Sequence, residues 1–286
     1  MKKDICKICG FESDLLFTGR ILNKYDISYF KCPHCEFIQT EKPYWIEEAY
    51  NSAIADMDTG YVSRNLIYKD FVSSFILQNK QFDADGRFLD YGGGYGLFVR
   101  LMRDKGYDFY REDLFCQNIF AKHFDIEDIV VNDSFEMLTC FEVFEHLVEP
   151  LSEIEKMLSF SKSIFFSTEM QPNKELKSLD DWWYFAPETG QHVALYTRKT
   201  LEFIAKKYQL NLYSNNTSIH LLTDKTLDDD CFNKKPNAKK SPYLIRIYRR
   251  LFGKKVNNNV NHLKERESYT WKDFQYIKSI LNNKSI

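Results

Sequence analysis

A glycine-rich turn between a strand and a helix is the strongest constraint on the fold of this 286-residue chain. Residues 90–96 read DYGGGYG; they follow the apolar pair Phe88 and Leu89 and precede a helix-like stretch, residues 97–102. Glycine is required where a Cβ would collide with a ligand or forbid a left-handed φ. The N-terminus of the next helix offers N–H groups to a polar or anionic ligand. The pattern predicts a strand–turn–helix unit that binds a ligand.

Three classes of ligand site use such a turn. A P-loop ends in Gly-Lys-Ser/Thr, which is absent here. A dinucleotide site has G-x-G-x-x-G/A, but leucine stands three positions after Gly94. The remaining pattern is D-x-G-x-G-x-G, formed by Asp90, Gly92, Gly94 and Gly96. It resembles the first motif of class I S-adenosylmethionine (SAM)-dependent methyltransferases, and the resemblance covers roughly residues 85–225. It implies SAM as cofactor and a Rossmann-like α/β sheet with helices on both faces.

An acidic position about 20 residues later supports this interpretation. Residues 108–113 read DFYRED, as a second strand with an acidic end. In Rossmann-type units such an acid holds the ribose hydroxyls. Asp113 is the predicted cofactor ligand and Glu112 the alternative, and solvated loop acids would also explain the pattern.

The segment 135–147 predicts an apolar strand that runs into a polar end. Its last seven residues, FEVFEHL, resemble the segment after strand four of many class I methyltransferases. There it borders the methionine end of the cofactor, which implies a cofactor-binding role for Glu142. For Glu145 and His146 a functional role and a structural pair both stay open. Residues 163–168 predict a fifth buried strand.

Two Cys-x-x-Cys pairs indicate a metal site near the start of the chain. The pairs are Cys6 with Cys9 and Cys32 with Cys35. This spacing is typical of a zinc ribbon with four thiolate ligands, and a complete shell favours a structural rather than a catalytic ion. Disulfides are the competing interpretation. No apolar signal segment opens the chain, so we expect a cytoplasmic protein, in which disulfides are rare.

An aromatic-rich loop carries the candidate chemistry. Residues 181–192 read DWWYFAPETGQH and lie between the fifth predicted strand and a helix capped by Thr197. The order of zinc ribbon, methyltransferase core and a loop ending in His-x-x-x-Tyr resembles bacterial sugar C- and O-methyltransferases. That resemblance implies His192 as general base, and Tyr184 or Glu188 as the group that orients the base or the substrate. An imidazole suits such proton transfer near neutral pH.

The chain is expected to contain four parts: a zinc ribbon over 1–40, a helical linker or lid over 41–83, a methyltransferase core over 84–225 with a substrate loop at about 171–196, and a C-terminal extension over 226–286. Alternating strand and helix signals in the core predict a mostly parallel sheet. Ligands of such sheets lie at the carboxyl ends of the strands, where Asp90, Asp113 and Glu142 fall.

The expected partner is a small molecule or a glycan precursor. A net charge of −2 does not favour a nucleic-acid partner. The basic stretch 234–255 predicts either a solvated helix or, over 242–255, peripheral contact with an anionic membrane. The resemblance favours a nucleotide-linked sugar or surface-glycan precursor as methyl acceptor. A non-sugar small molecule or lipid, and a non-catalytic scaffold that binds SAM, are the alternatives.

Overall fold

The computed structural model describes residues 2–50, 58–130, 134–228, 230–232 and 266–283. The described residues divide into two compact units. Unit 1 comprises residues 1–57 and 140–226, and unit 2 comprises 58–139 and 227–286. Each unit is therefore built from two separate stretches of the chain. The basic stretch 234–255 lies outside the described residues, and the predicted domain boundaries stay predictions.

Unit 1 contains an antiparallel sheet of five strands in the order β1-β2-β3-β4-β9. These strands are Lys3–Ile5, Glu12–Ile21, Tyr25–Lys31, Ile38–Thr40 and Ala194–Leu195. The short strand β9 pairs with β4 through Leu195 opposite Ile38 and Ala194 opposite Gln39. The cysteine-containing segment and the loop before Thr197 therefore share one sheet.

Unit 1 also contains the predicted fifth strand and a hairpin that pairs with it. Antiparallel pairing joins β8 (Ser163–Ser167) to β11 (Ile219–Thr223), and β11 to β10 (Asn211–Ser214). Its helices are α1 (Ile46–Ala49), α4 (Pro150–Phe160) and α5 (Arg198–Lys207). The Thr197 hydroxyl caps α5 by accepting a hydrogen bond from the Thr200 N–H, which confirms the predicted helix start.

Unit 2 is built around three parallel strands. In it β5 (Arg87–Tyr91) pairs with β6 (Asp108–Glu112) on one side and with β7 (Met137–Cys140) on the other, through residues 137–139. The helices are α2 (Tyr61–Gln78), α3 (Leu97–Asp104) and α6 (Thr270–Asn283). The strands β5 and β7 are almost wholly buried, as expected for strands of a parallel sheet. The predicted α/β fold of a class I methyltransferase is confirmed.

Candidate active site

The predicted cofactor turn connects β5 to α3 in unit 2. Gly94 and Gly96 have φ values of +55° and +83°, in the left-handed region that favours glycine. A Cβ on Gly96 would lie 2.5 Å from the Asn118 side-chain oxygen, so the turn also packs too closely there for a side chain. Glycine is therefore needed at positions 94 and 96 for the left-handed φ, and at position 96 also because a side chain would collide.

The predicted acid Asp113 contacts this turn directly. Its Oδ2 accepts a hydrogen bond of 2.8 Å from the Gly94 N–H. Its Oδ1 accepts from the N–H groups of Phe115 and Cys116, both at 2.8 Å. A carboxylate offers about four acceptor positions, so these three bonds leave about one for a ribose hydroxyl. Glu112 stays the alternative.

Arg111 is a residue of this turn that the sequence analysis missed. It is 5 % exposed, and its guanidinium donates to the Gly94 carbonyl, to the Cys116 carbonyl and to Asp125. It thus holds the glycine turn against the loop after β6. The available signal was an arginine directly after the apolar residues Phe109 and Tyr110 of a strand, because a buried arginine is rare unless it is paired.

Asp90 lies at the end of β5 with 4 % of its surface exposed. Its Oδ1 accepts a hydrogen bond of 2.6 Å from the Thr139 hydroxyl. Burial raises the pKa of Asp90 to about 7, against the effect of the Thr139 hydrogen bond. The side chain stabilises the contact between β5 and β7.

The residues of the turn fit SAM. The glycines leave the backbone open to close approach, and Asp113 keeps an acceptor position. Leu114 and Phe115, 73 % and 89 % exposed, offer apolar surface to a planar base directly after Asp113. When bound, SAM supplies an electrophilic methyl group.

A second cluster of polar groups lies in unit 1 and comprises Glu145, His146 and His192; we call it the Glu145 cluster. One ligand atom from each of the three side chains lies within 4.8 Å of the other two. The two imidazole rings are 5.0 Å apart. A hydrogen bond of 2.8 Å from the Val193 N–H to the Glu145 carbonyl joins the two chain segments that carry the cluster.

Both imidazoles are oriented by backbone carbonyl groups. His146 Nδ1 lies 3.1 Å from the Gln191 oxygen, and His192 Nδ1 lies 2.5 Å from the Tyr184 oxygen. A carbonyl oxygen only accepts, so each Nδ1 carries the proton and each Nε2 has its lone pair available. Burial lowers the pKa of both imidazoles, which favours their neutral forms.

Glu145 is fully buried, and neither oxygen of its carboxyl has a hydrogen-bond partner within the described part of the chain. Burial, and then the charge of Glu142, raise the pKa of Glu145 to about 7. Glu142 has a φ of +55°, and its Oε1 accepts a hydrogen bond of 2.6 Å from the Ser167 hydroxyl. A left-handed φ in a non-glycine residue costs backbone energy, and such residues cluster at functional sites.

The other predicted catalytic residues differ in their surroundings. Tyr184 is buried, with its ring centroid 4.5 Å from that of His192, so it orients the imidazole by its carbonyl and its ring. Glu188 is exposed, and within the described residues no hydrogen bond connects it to His192. The assignment of catalytic roles to these residues stays a prediction.

The four cysteines of the predicted ribbon converge in unit 1. The shortest sulfur–sulfur distances are 3.5 Å between Cys6 and Cys35 and 3.4 Å between Cys9 and Cys32. A disulfide would need about 2.05 Å. Four thiolates bound to one zinc at about 2.3 Å would lie roughly 3.8 Å apart, so the cluster has the size of such a site.

Both cysteine pairs have the same backbone geometry. The Cys6 N–H donates to the Phe11 carbonyl and the Gly10 N–H donates to the Cys6 carbonyl. The second pair repeats this pattern with Cys32, Phe37 and Glu36. Two equivalent turns thus present four sulfur atoms, which fits a tetrahedral metal ion.

A family model described as "Methyltransferase domain" matches residues 64–215, more than half of the chain. The chain belongs to this methyltransferase domain family. The prediction of a SAM-dependent class I methyltransferase is thereby confirmed. Within the described residues, no helix is both long enough and apolar enough to cross a membrane.

Solved structures of methyltransferases are similar to parts of the chain. The plantazolicin methyltransferase BpumL, bound to a desmethylPZN analog and SAH, is 10 % identical over 64 % of this chain and 94 % of its own, with a TM-score of 0.42. An O-methyltransferase family protein from Burkholderia thailandensis is 8 % identical over 64 % and 68 %, with a TM-score of 0.40. CalO1, a methyltransferase in calicheamicin biosynthesis, is 14 % identical over 54 % of both chains, with a TM-score of 0.35. No curated protein matches the chain.

Proposed function

We propose that this methyltransferase transfers the SAM methyl group to a sugar, either nucleotide-linked or a precursor of a surface glycan. The observation that carries the proposal is His192, held by the Tyr184 carbonyl beside the buried carboxyl of Glu145. Its Nε2 has a lone pair available for an acceptor proton. Polar groups surrounded by aromatic rings suit an acceptor with several hydroxyl groups.

The proposed reaction needs alignment and the removal of one proton. The acceptor hydroxyl, or an acidic carbon beside a keto group, loses its proton to His192 Nε2. The acceptor atom forms a bond to the methyl carbon, the carbon–sulfur bond breaks, and sulfur keeps the electron pair. Asp113 and the glycine turn would hold the cofactor, and Glu142 is the proposed contact at its methionine end. Proton transfer of this kind contributes roughly 10²–10⁴-fold to the rate.

The acceptor class is tested by incubating the protein with isotope-labelled SAM and a panel of keto- and hydroxyl-bearing nucleotide sugars. Nuclear magnetic resonance of the products locates the label. Label in a sugar C-methyl or O-methyl group supports the proposal and distinguishes carbon from oxygen methylation. Transfer only to lipids or to non-sugar small molecules would contradict the sugar assignment.

The role of His192 is tested by His192→Ala. We expect turnover to fall about 10²-fold or more, while S-adenosylhomocysteine still raises the melting temperature of the variant, which shows that it folds. Initial rates with labelled SAM provide the measurement. Full turnover in the variant would rule out a catalytic role.

We further propose that Cys6, Cys9, Cys32 and Cys35 hold a structural zinc ion. The convergence of four sulfur atoms and the repeated backbone turns support this. Four thiolates complete the tetrahedral shell and leave no position for a substrate. Elemental analysis of the purified protein should find zinc, and replacement of Cys32 by serine should remove it.

A further inference from the structure

We infer that the Glu145 cluster is a second metal site, which binds one divalent transition-metal cation through Glu145, His146 and His192. Metal binding itself does not depend on the proposed function. Only the effect of the metal on catalysis rests on it. The inference changes the role of His192 from proton acceptor to metal ligand.

The first argument is the unpartnered carboxyl of Glu145. The residue is fully buried, and among the residues that the structure describes no hydrogen bond of normal geometry reaches either side-chain oxygen; the nearby Tyr184 hydroxyl only partly opposes the rise of its pKa. Burial of a carboxylate is costly unless it is paired or coordinates a metal. A protonated carboxyl could donate one hydrogen bond to a histidine Nε2, but its other oxygen and the second imidazole would still lack a partner, whereas one cation binds all three groups. A cation bound at this position would compensate the charge of the Glu145 carboxylate.

The second argument is the orientation of both imidazoles. Metal-ligating histidines almost always donate the N–H of the other ring nitrogen to a carboxylate, a backbone carbonyl or water. His146 and His192 both do this, to the carbonyls of Gln191 and Tyr184. The remaining Nε2 atoms can therefore both serve as ligands in neutral rings.

The third argument is the ligand set and its dimensions. One possible ligand atom from each side chain, a ring nitrogen of each histidine and a carboxylate oxygen, lies within 4.8 Å of the other two. Ligands at about 2.1 Å from one cation are roughly 3 to 4 Å apart, so small side-chain rotations would close the site. Two imidazoles and one carboxylate suit divalent iron, cobalt or zinc, whereas magnesium and calcium prefer oxygen ligands.

Three protein ligands leave coordination positions open, as in catalytic rather than structural metal sites. The open positions suit oxygen atoms of an acceptor, such as two adjacent hydroxyl groups of a sugar. A divalent cation also lowers the pKa of a hydroxyl bound to it. The site would then select acceptors with oxygen donors, and the proton of the bound hydroxyl would pass to solvent water instead of to His192.

Metal binding is tested with Co²⁺ as the probe on the full chain, after one equivalent of Zn²⁺ has been supplied. Co²⁺ binds more weakly than Zn²⁺ and does not displace it from the four thiolates. Equilibrium dialysis followed by elemental analysis counts both metals. We expect one Zn²⁺ and one Co²⁺ in each chain. Absence of bound Co²⁺ in the wild-type protein would overturn the inference.

Variants assign the cobalt to this cluster. Glu145→Gln and His192→Ala should each weaken Co²⁺ binding by at least about tenfold, with the Zn²⁺ content unchanged as a sign that the chain is folded. The matched control is Glu202→Gln on α5, where the glutamate is exposed and paired with Arg198; it should keep full cobalt binding. Cobalt affinity unchanged in both cluster variants would contradict the assignment.

Activity measurements separate this inference from the proposed function. Turnover that is lost after selective removal of the second metal and restored by Co²⁺ supports both. Turnover on a sugar without a second metal overturns the catalytic role of the cation and leaves the proposed function intact. Cobalt bound at the cluster without methyl transfer to any sugar keeps the metal site and rejects the proposed acceptor.

Discussion

Asp90 belongs to the ligand-binding motif, but its carboxyl is buried. Ionisation of this buried carboxyl lowers the stability of the fold. Burial raises its pKa from 3.8 to about 7; the charge of Asp113 adds to the rise, and the Thr139 hydrogen bond and the charge of Arg111 oppose it. Between these two pH values the unfolded chain releases the proton while the folded chain keeps it. The free energy of unfolding therefore falls as pH rises through this window, and the cost is complete above about pH 7.

Replacement of Asp90 by asparagine should remove this cost. We expect Asp90→Asn to be more stable than the wild type at about pH 8, by roughly 4 kcal/mol at most. The difference should shrink as the pH falls and should vanish only below about pH 3, where Asp90 is protonated in both states. Urea unfolding of both proteins across this range provides the measurement. A stability difference that is equal at every pH would show that the ionisation of Asp90 is not the cause.

The helix α6 is held in unit 2 by a buried ion pair. Arg103 on α3 donates two hydrogen bonds to the Asp273 carboxylate, of 2.9 and 2.8 Å, and both side chains are at most 4 % exposed. Arg100 also contacts Asp273, at 2.9 Å. Removal of one partner from a buried pair costs about 3–5 kcal/mol, and the low end of this range applies here because Arg103 keeps a contact of 2.7 Å with Asp108.

We therefore expect Asp273→Ala to lower the free energy of unfolding by about 3 kcal/mol and to increase hydrogen exchange in α6. Urea unfolding and amide exchange provide the measurements. Asp85→Ala is the control, because Asp85 is 82 % exposed and pairs with Arg266 in the same C-terminal segment. Its loss should cost at most about 1 kcal/mol. Equal losses of stability in the two variants would show that burial does not determine how much an ion pair contributes here.

Local sequence patterns predicted most of the helices and strands. They did not predict which distant segments pair with each other. The strand before Asp113 and the helix capped by Thr197 follow from the apolar pattern and the capping residue. Strand β9 has two residues and gives no periodic signal, so its pairing with β4 was not predicted. For the same reason the sequence did not decide whether Glu145 and His146 have a functional role or form a structural pair. The contact between His146 and Gln191 spans 45 residues, and only the fold brings their segments together.

Most residues proposed to bind the cofactor belong to unit 2, whereas the residues proposed to act on the acceptor belong to unit 1. The glycine turn, Arg111 and Asp113 belong to unit 2. The four cysteines, the Glu145 cluster and Glu142 belong to unit 1. Within unit 1, residues of the ribbon strands and of the loop before Thr197 form one hydrophobic core; they include Phe17, Tyr29, Trp182 and Phe185. The segments that carry the proposed zinc site and the proposed acceptor site thus share one core.

Loss of zinc should therefore affect catalysis far more than cofactor binding. In Cys32→Ser we expect zinc to be lost and turnover to fall at least about tenfold, because the loop that positions His192 packs on the ribbon. The dissociation constant of S-adenosylhomocysteine should change by less than about tenfold, or 1.4 kcal/mol. Titration calorimetry and initial rates provide the two measurements. A parallel loss of S-adenosylhomocysteine binding would show that the ribbon also maintains the cofactor turn of unit 2.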